Sequence, residues 1–272
     1  MIITKADGTT EEFDAGKLVI SLRRSGATEH IAQQITKDVE KELWGGISTQ
    51  EIYSRAFEIL RNERRGMAAR YSLKRALLAF GPTGFPFEAY IAELFRAEGH
   101  ESKVDQIIQG KCVEHEVDVV VKKNSETVYA EAKFHNTLGL RTDLKVVLYV
   151  TARIEDIKSN DTSARGLVVT NTKFSSQAIS YSKCHALELL GWDYPHTNTL
   201  QDRIGKASLY PITALTSLSQ REKTALLKDK IVLCNTLSED TGVLAGVGVS
   251  GGKADRVLEE VGALCIPKNE VL

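Results

Sequence analysis

The sequence predicts an α/β chain, α+β overall: a helical first section opening on a β-flap, an α/β middle, and a small helical C-terminal region. Three observations predict it. Apolar residues recur at helical spacing across residues 15–79. They alternate instead over 116–122 and 127–134, two strand-like runs joined by Lys123-Asn124-Ser125-Glu126. A further strand pattern over 166–171 then leads into an amphipathic helix pattern over 175–190, the alternation of an α/β layer.

Punctuation sets the boundaries. Phe80-Gly81-Pro82-Thr83-Gly84-Phe85-Pro86 breaks the first helical run, which places domains at 1–82, 83–195 and 196–272. The first opens with a hairpin, 2–4 and 11–13, around Asp7-Gly8, a pair that accepts the positive φ angles of a tight turn. Helices are predicted over 15–25, 29–44, 49–62 and 64–79. Ser48 with Glu51 forms a capping box for the third of them. In the middle section 87–98 reads as a helix, whereas 144–158 is ambiguous, β-branched yet long for a strand. Two helices are expected near the end, over 219–229 and 253–261.

Bulk properties exclude several classes. At 42% hydrophobic and 26% charged, the composition is that of an ordinary globular protein. The chain contains no run of 18 apolar residues, and acidic residues stand where a signal peptide has its apolar stretch, so no membrane partner and a cytoplasmic address are expected. Cys112, Cys184, Cys234 and Cys265 form no CxxC pair, which argues against a zinc ribbon or a disulfide framework. With a net charge of −1, any nucleic-acid surface must be a local patch.

The chemistry concentrates in the two alternating runs. Val128, Ala130, Ala132 and Phe134 point one way, while Glu131 and Lys133 point the other, with His135 following. Asp118 lies between Val117 and Val119 on the preceding strand, and pairing the strands brings it beside Glu131 and Lys133. Two carboxylates suit a hard cation such as Mg2+ (or Mn2+), which lowers the pKa of bound water and neutralises charge on a phosphate. A lysine holds the phosphate or positions the water. By spacing alone the same residues read as a surface cross-strand ion pair, the commoner arrangement. His135 is read as a polar residue lining the DNA groove, with a metal-binding or proton-transfer role as the alternative, and His115, on the approach to the strand, is read the same way.

The surroundings weigh against the ion pair. Glu116-Val117-Asp118-Val119-Val120-Val121 followed by Tyr129-Ala130-Glu131-Ala132-Lys133-Phe134-His135-Asn136 resembles the core of PD-(D/E)XK nucleases. Residues 166–194 resemble the strand-helix unit that follows this core in Mrr-type restriction endonucleases, and 87–99 resembles their opening helix. The resemblance implies a Mg-dependent endodeoxyribonuclease with a catalytic set of Glu88, Asp118, Glu131 and Lys133. Asp118 and Glu131 are the implied metal ligands, Glu88 a helix-borne ligand or water-orienting group, and DNA the partner. The sequence departs from the Mrr pattern in carrying Glu131 where Gln is frequent, and Val117 where Gly is.

Residues 2–80 resemble the ATP-cone domain, through Ile3-Thr4-Lys5-Ala6-Asp7-Gly8, Glu11-Glu12-Phe13-Asp14-Ala15-Gly16-Lys17-Leu18, Ile47-Ser48-Thr49-Gln50-Glu51-Ile52 and Ala68-Ala69-Arg70-Tyr71. It implies binding of ATP or dATP as a regulatory ligand, with Lys5 and Lys17 on the phosphates and Glu11 and Asp14 toward base or ribose. Arg70 and Lys74 contribute more weakly, from a run over 61–75 with six basic residues and only Glu63 acidic. The chain has no GxxxxGK[ST] loop, so binding without hydrolysis is expected. Such domains assemble, which makes a homodimer an expectation by analogy.

Residues 244–254, with their glycine turn, are similar to a helix-hairpin-helix, whose backbone N–H groups meet a DNA phosphate; a linker before a packing helix is the alternative. Two further functions stay open: a non-catalytic nucleotide-sensing regulator that binds DNA, and a nuclease directed at RNA.

Overall fold

The computed structural model describes residues 1–63, 65–123, 126–240 and 242–265. Arg64 of the basic run and Asn124 and Ser125 of the expected turn lie outside them. The chain is mixed α/β and forms two compact units. One contains Met1–Ala76, Tyr210–Ala225 and the described residues from Cys234 onward; the other contains Leu77–Leu209 and Leu226–Leu233.

The first unit opens with the hairpin of β1 (Ile2–Thr4) and β2 (Thr10–Glu12). Gly8 has φ +81° in the turn, and Asp7 Oδ1 accepts from the Thr9 amide and hydroxyl. Asp14 caps α1 (Ala15–Arg24), accepting from the Gly16 and Lys17 amides. α2 (Glu29–Glu40) stops short of the predicted Trp44. The residues that follow turn back to the hairpin instead: Gly46 N donates to Ile2 O, and Thr4 N donates to Ile47 O.

The predicted capping box is present at α3 (Thr49–Glu63), with Ser48 Oγ accepting from Glu51 N and Glu51 Oε2 accepting from Ser48 N. A single helix predicted over 64–79 is two, α4 (Arg65–Tyr71) and α5 (Leu73–Leu78). Between them the Ser72 hydroxyl donates to Ala69 O, the local competition that makes serine a weak mid-helix residue. Leu22, Ala32, Ile35, Ala56 and Leu60 pack the centre of these helices.

The second unit is built on a mixed sheet. It starts with α6 (Phe85–Ala97), which carries a proline in its first turn, where a missing N–H costs nothing. The strands are β3 (Glu101–Gln109), β4 (Glu114–Lys123), β5 (Glu126–Lys133), the short β6 (Arg141–Thr142), β7 (Ala164–Thr170), the short β8 (Lys173–Phe174) and β9 (Glu188–Leu190). The main sheet has the order β3-β4-β5-β7-β9, antiparallel from β3 to β5 and parallel from β5 to β9; β6 pairs with β8.

β3 was not expected from the sequence, because an edge strand reading ESKVDQIIQ buries little apolar surface. The ambiguous segment is a helix, α7 (Leu144–Lys158), whose N-cap Asp143 accepts from the Lys145 and Val146 amides. The helix predicted over 175–190 ends early. α8 (Ser176–Cys184) stops before Ala186, which takes φ +52°, and Leu187–Leu190 turns inward to supply β9.

Both sheet faces are covered. The Phe134 ring lies 5.9 Å from that of Phe87 on α6, while Tyr129, of opposite parity on β5, clusters with Val147, Ile154 and Ile157 of α7. The β3–β4 hairpin is pinned to α7 by Asp156, which accepts from the Cys112 and Val113 amides and pairs with His115 Nε2 at 2.8 Å. The hydrogen bond from His115 is the main reason the Asp156 carboxyl falls to about 2. His115 thus holds the hairpin to the helix. α9 (Leu200–Ala207) completes this run, its N-terminal end fixed by a capping box of Thr199 and Asp202.

The C-terminal residues form α10 (Gln220–Lys228), α11 (Thr236–Glu239), α12 (Gly242–Gly246) and α13 (Gly251–Cys265). α13 packs on α4. The buried Glu260 carboxylate of α13 accepts from the amides and hydroxyls of both Thr216 and Ser217. α12 and α13 flank the glycine turn in the order predicted, with Gly248 at φ +81°; Lys253 at its far side is paired with Glu222 at 2.6 Å. Among the described residues, no helix is long and apolar enough to cross a membrane.

Candidate active site

The site forms where the sheet comes apart. The β4–β5 ladder runs from Lys123↔Glu126 to Val119↔Ala130 and stops. Continued by one step, it would set Asp118 opposite Glu131. Instead the Asp118 carboxylate accepts from the Ala132 amide at 2.7 Å, filling the place a backbone carbonyl would take. The β3–β4 ladder also skips this level, passing from Val104↔Val119 to Gln106↔Val117. Asp105, the residue skipped, sits at φ +53°, a left-handed conformation that aspartate tolerates better than most residues. Asp118 therefore lies at a gap in pairing on both sides of β4. β5 stays bonded to β7 as far as Lys133↔Thr170, so Glu131 and Lys133 ride on a rigid strand while Asp118 approaches from a parting one.

Glu88 joins from the first turn of α6. Gly84 precedes that helix, and a Cβ there would stand 2.9 Å from Glu88 Oε1; the bare Cα leaves the carboxylate room to fold back. Burial pushes the Glu88 carboxyl up to about 7, helped by repulsion from Asp118, Asp105, Glu116 and Glu131. Asp118 is pushed up to about 6, again by burial first and then by Glu131, against the bond from Ala132 N and the charge of Arg153. The structure thus brings Glu88, Asp118 and Glu131 into one electrostatic cluster, with Lys133 exposed beside them.

Three members were not anticipated. Asp105 and Glu116 add negative charge to the cluster from β3 and β4. Arg153 reaches in from α7: its Nη1 donates to Glu131 Oε2 at 2.8 Å, and its guanidinium lies 4.6 Å from the ring of Tyr149 one turn earlier. Glu131 therefore pairs with a buried arginine from a helix, not with its strand neighbour on an open face, and the simple surface pair does not describe this site. His135 lies deeper than a groove-lining residue: its Nε2 is 3.1 Å from Thr142 Oγ1, its backbone is held by Asn171, and burial, then Lys133, lowers its pKa.

The donors suit a hard divalent cation: oxygen atoms carrying more negative charge than their surroundings stabilise. Among the described residues, however, no three His, Cys, Asp or Glu side chains stand close enough to make a ready cage. The residues fit an ion held by two carboxylates that keeps its remaining positions for water and phosphate, which is how magnesium is usually bound.

In the first unit, Lys5 Nζ lies 2.7 Å and Lys17 Nζ 3.1 Å from Glu11 Oε2, so hairpin and α1 bring these three residues together. The bonds from Lys5 and Lys17 lower the Glu11 pKa. Asp14 is occupied as the cap of α1. Arg70 donates to Ala263 O at 2.7 Å and lies over the Tyr210 ring at 6.0 Å, which fastens α13 to α4. Lys74 lies half-buried on α5.

Comparison with known proteins accords with this division. Residues 1–78 match the ATP cone domain, residues 82–193 a restriction endonuclease family of the Mrr catalytic type, and residues 210–265 the AF1548-like C-terminal family. The class is a restriction endonuclease domain carried in one chain with an ATP cone. An uncharacterized protein of Archaeoglobus fulgidus is 34% identical over 171 residues, 62% of this chain and 97% of that one. The crystal structure of AF1548, a protein of unknown function, superposes with a TM-score of 0.56 at 33% identity, over 65% of this chain and 96% of that one. The chain belongs to the AF1548-like family.

Proposed function

We propose that the chain is a divalent-cation-dependent endodeoxyribonuclease whose activity responds to ATP or dATP bound at the N-terminal hairpin. The observation that supports the first part is the interrupted pairing on both sides of Asp118, which frees its carboxylate from the ladder beside Glu131, with Glu88 of α6 within electrostatic reach. Like charges are drawn together here at a cost, and a cation with a phosphodiester is the ligand that would offset it.

Asp118 and Glu131 would hold the ion, which when bound supplies an acidified water and charge neutralisation at the scissile phosphate. Lys133, exposed at the strand end, presents an ammonium to a phosphate oxygen or to the attacking water. Glu88, whose carboxyl is held up at about 7 by burial and by the neighbouring carboxylates, would be lowered by a cation's charge and could then accept a proton from the attacking water. The Ala132 amide fixes the rotamer of Asp118, so one ligand is set before substrate arrives.

In the cone, Lys5 and Lys17 share a single carboxylate, Glu11. Nucleotide phosphates would take over that role and draw the flap onto α1. Arg70 is already engaged with α13, so the phosphate role falls mainly to these two lysines.

The test is cleavage of linear, supercoiled, branched and single-stranded DNA in Mg2+, with and without ATP, by wild type and D118A. Wild-type cleavage that D118A lacks, and that changes with ATP in wild type but not in a K5A/K17A double variant, is expected. Equal activity in wild type and D118A would remove the site. Absence of any cleavage would favour a non-catalytic nucleotide-sensing regulator.

A further inference from the structure

Arg153 is the charged group beside the site that the proposed chemistry leaves unused. Its side chain is 7% exposed, buried under the exposed ring of Tyr149. A guanidinium carries five donors in a rigid fork, and a buried one ordinarily has them bonded. Here Nη1 reaches Glu131, but among the described residues the buried Nε has no hydrogen-bond partner. A buried donor left without a partner is uncommon and calls for a reason beyond packing. What it does have is charge of the right sign, set against the carboxylate cluster at the gap between the strands.

We propose that Arg153 is a built-in counter-cation of this cluster, whose ion pair with Glu131 a divalent cation must break in order to bind. The inference rests on the reading of Asp118 and Glu131 as cation ligands and adds what opposes the cation. While the pair is closed, Glu131 offers fewer free lone pairs and an incoming ion meets a positive charge in a partly desolvated site, where such repulsion is weakly screened. The pair therefore keeps cation affinity low when no nucleic acid is present. A phosphate entering with the ion adds negative charge, and it also gives the displaced fork a bidentate partner. Cation and nucleic acid thus bind as one event.

Calorimetric titration of the metal-free full chain with Mn2+ alone, without nucleic acid, separates this role from mere positioning of Glu131. R153Q keeps a donor for Glu131 and removes the charge, whereas R153K keeps the charge. R153Q is expected to bind Mn2+ about tenfold tighter than wild type or more, since one nearby like charge is removed, and R153K to resemble wild type. Unchanged or weaker binding by R153Q would show that Arg153 only holds Glu131 in place, and would overturn the inference while leaving the nuclease reading standing. Should R153Q fail to fold by its thermal melt, Y149L decides. That ring is exposed, and its loss weakens the seat of the guanidinium, so tighter Mn2+ binding is expected and unchanged binding overturns the inference. If neither wild type nor any Arg153 or Tyr149 variant shows Mn2+ binding that D118N abolishes, the cation site itself is wrong, and both readings fall together.

Discussion

Replacing Asp118 by asparagine is expected to abolish cleavage and, in the same molecule, to raise the melting temperature of the metal-free protein. Loss of a metal-holding carboxylate should lower the rate by at least about a thousandfold, the scale on which single catalytic groups act. The gain in stability follows from the sign of the pKa shift. Asp118 is raised from 3.8 to about 6, so its ionised form is less favourable in the folded chain than in the unfolded one. Stability is fully present below the unfolded value and is lost as pH rises through about 6, which leaves the neutral protein with a penalty. Asparagine removes the charge and still accepts from the Ala132 amide. After discounting for its partial exposure, the gain is about 1 kcal/mol at pH 7 and vanishes near pH 4. Parallel melts of wild type and D118N at these two pH values, with a cleavage assay, check both signs. A D118N that is less stable at neutral pH would mean that Asp118 serves the fold before the chemistry.

The largest loss of stability is expected at Glu260. Its buried carboxylate satisfies two amides and two hydroxyls, those of Thr216 and Ser217, and so ties an otherwise irregular segment to α13. E260A leaves these donors facing an apolar space between helices, each unsatisfied group costing about 1–3 kcal/mol where water cannot reach it. Partial hydration tempers the sum, and about 3–5 kcal/mol is expected. E260Q, which keeps the shape and one acceptor oxygen, should lose less than half of that. Urea unfolding read by circular dichroism distinguishes them; a loss below about 1 kcal/mol in E260A would mean that water replaces the carboxylate freely.

The site was legible in the sequence where its geometry is local. Strand alternation alone placed Glu131 and Lys133 on one face, and the buried Val117 and Val119 placed Asp118, between them, on the opposite face of its strand. Glu88 came from family resemblance, since nothing in a helix's first turn distinguishes a functional carboxylate from one that favours the helix dipole. Arg153 was not legible. A charged residue within an amphipathic helix reads as solvated, and only the packing of α7 on the sheet turns it inward to Glu131. Asp105 was hidden with its strand, because β3 is an edge strand with polar alternate residues. One ambiguity and one difference in element type have a common cause: Val146, Val147, Val150 and Thr151 give α7 a strand-like composition, and Leu187, Leu189 and Leu190 give β9 the look of a helix end. In both, tertiary burial overrode local propensity. The capping box of Ser48 and Glu51 is the local signal that the structure reproduces, while the caps Asp143 and Ser175 become visible only in the structure.

The most direct measurement is metal removal and restoration on the wild-type chain. The protein is stripped with a chelator, and hydrolysis of duplex DNA is followed before and after Mg2+ or Mn2+ is restored. No cleavage in the stripped protein and full recovery on adding the cation is the expected result. Cleavage that persists undiminished in chelator, or none with either cation, would contradict a cation-dependent nuclease site at Asp118 and Glu131.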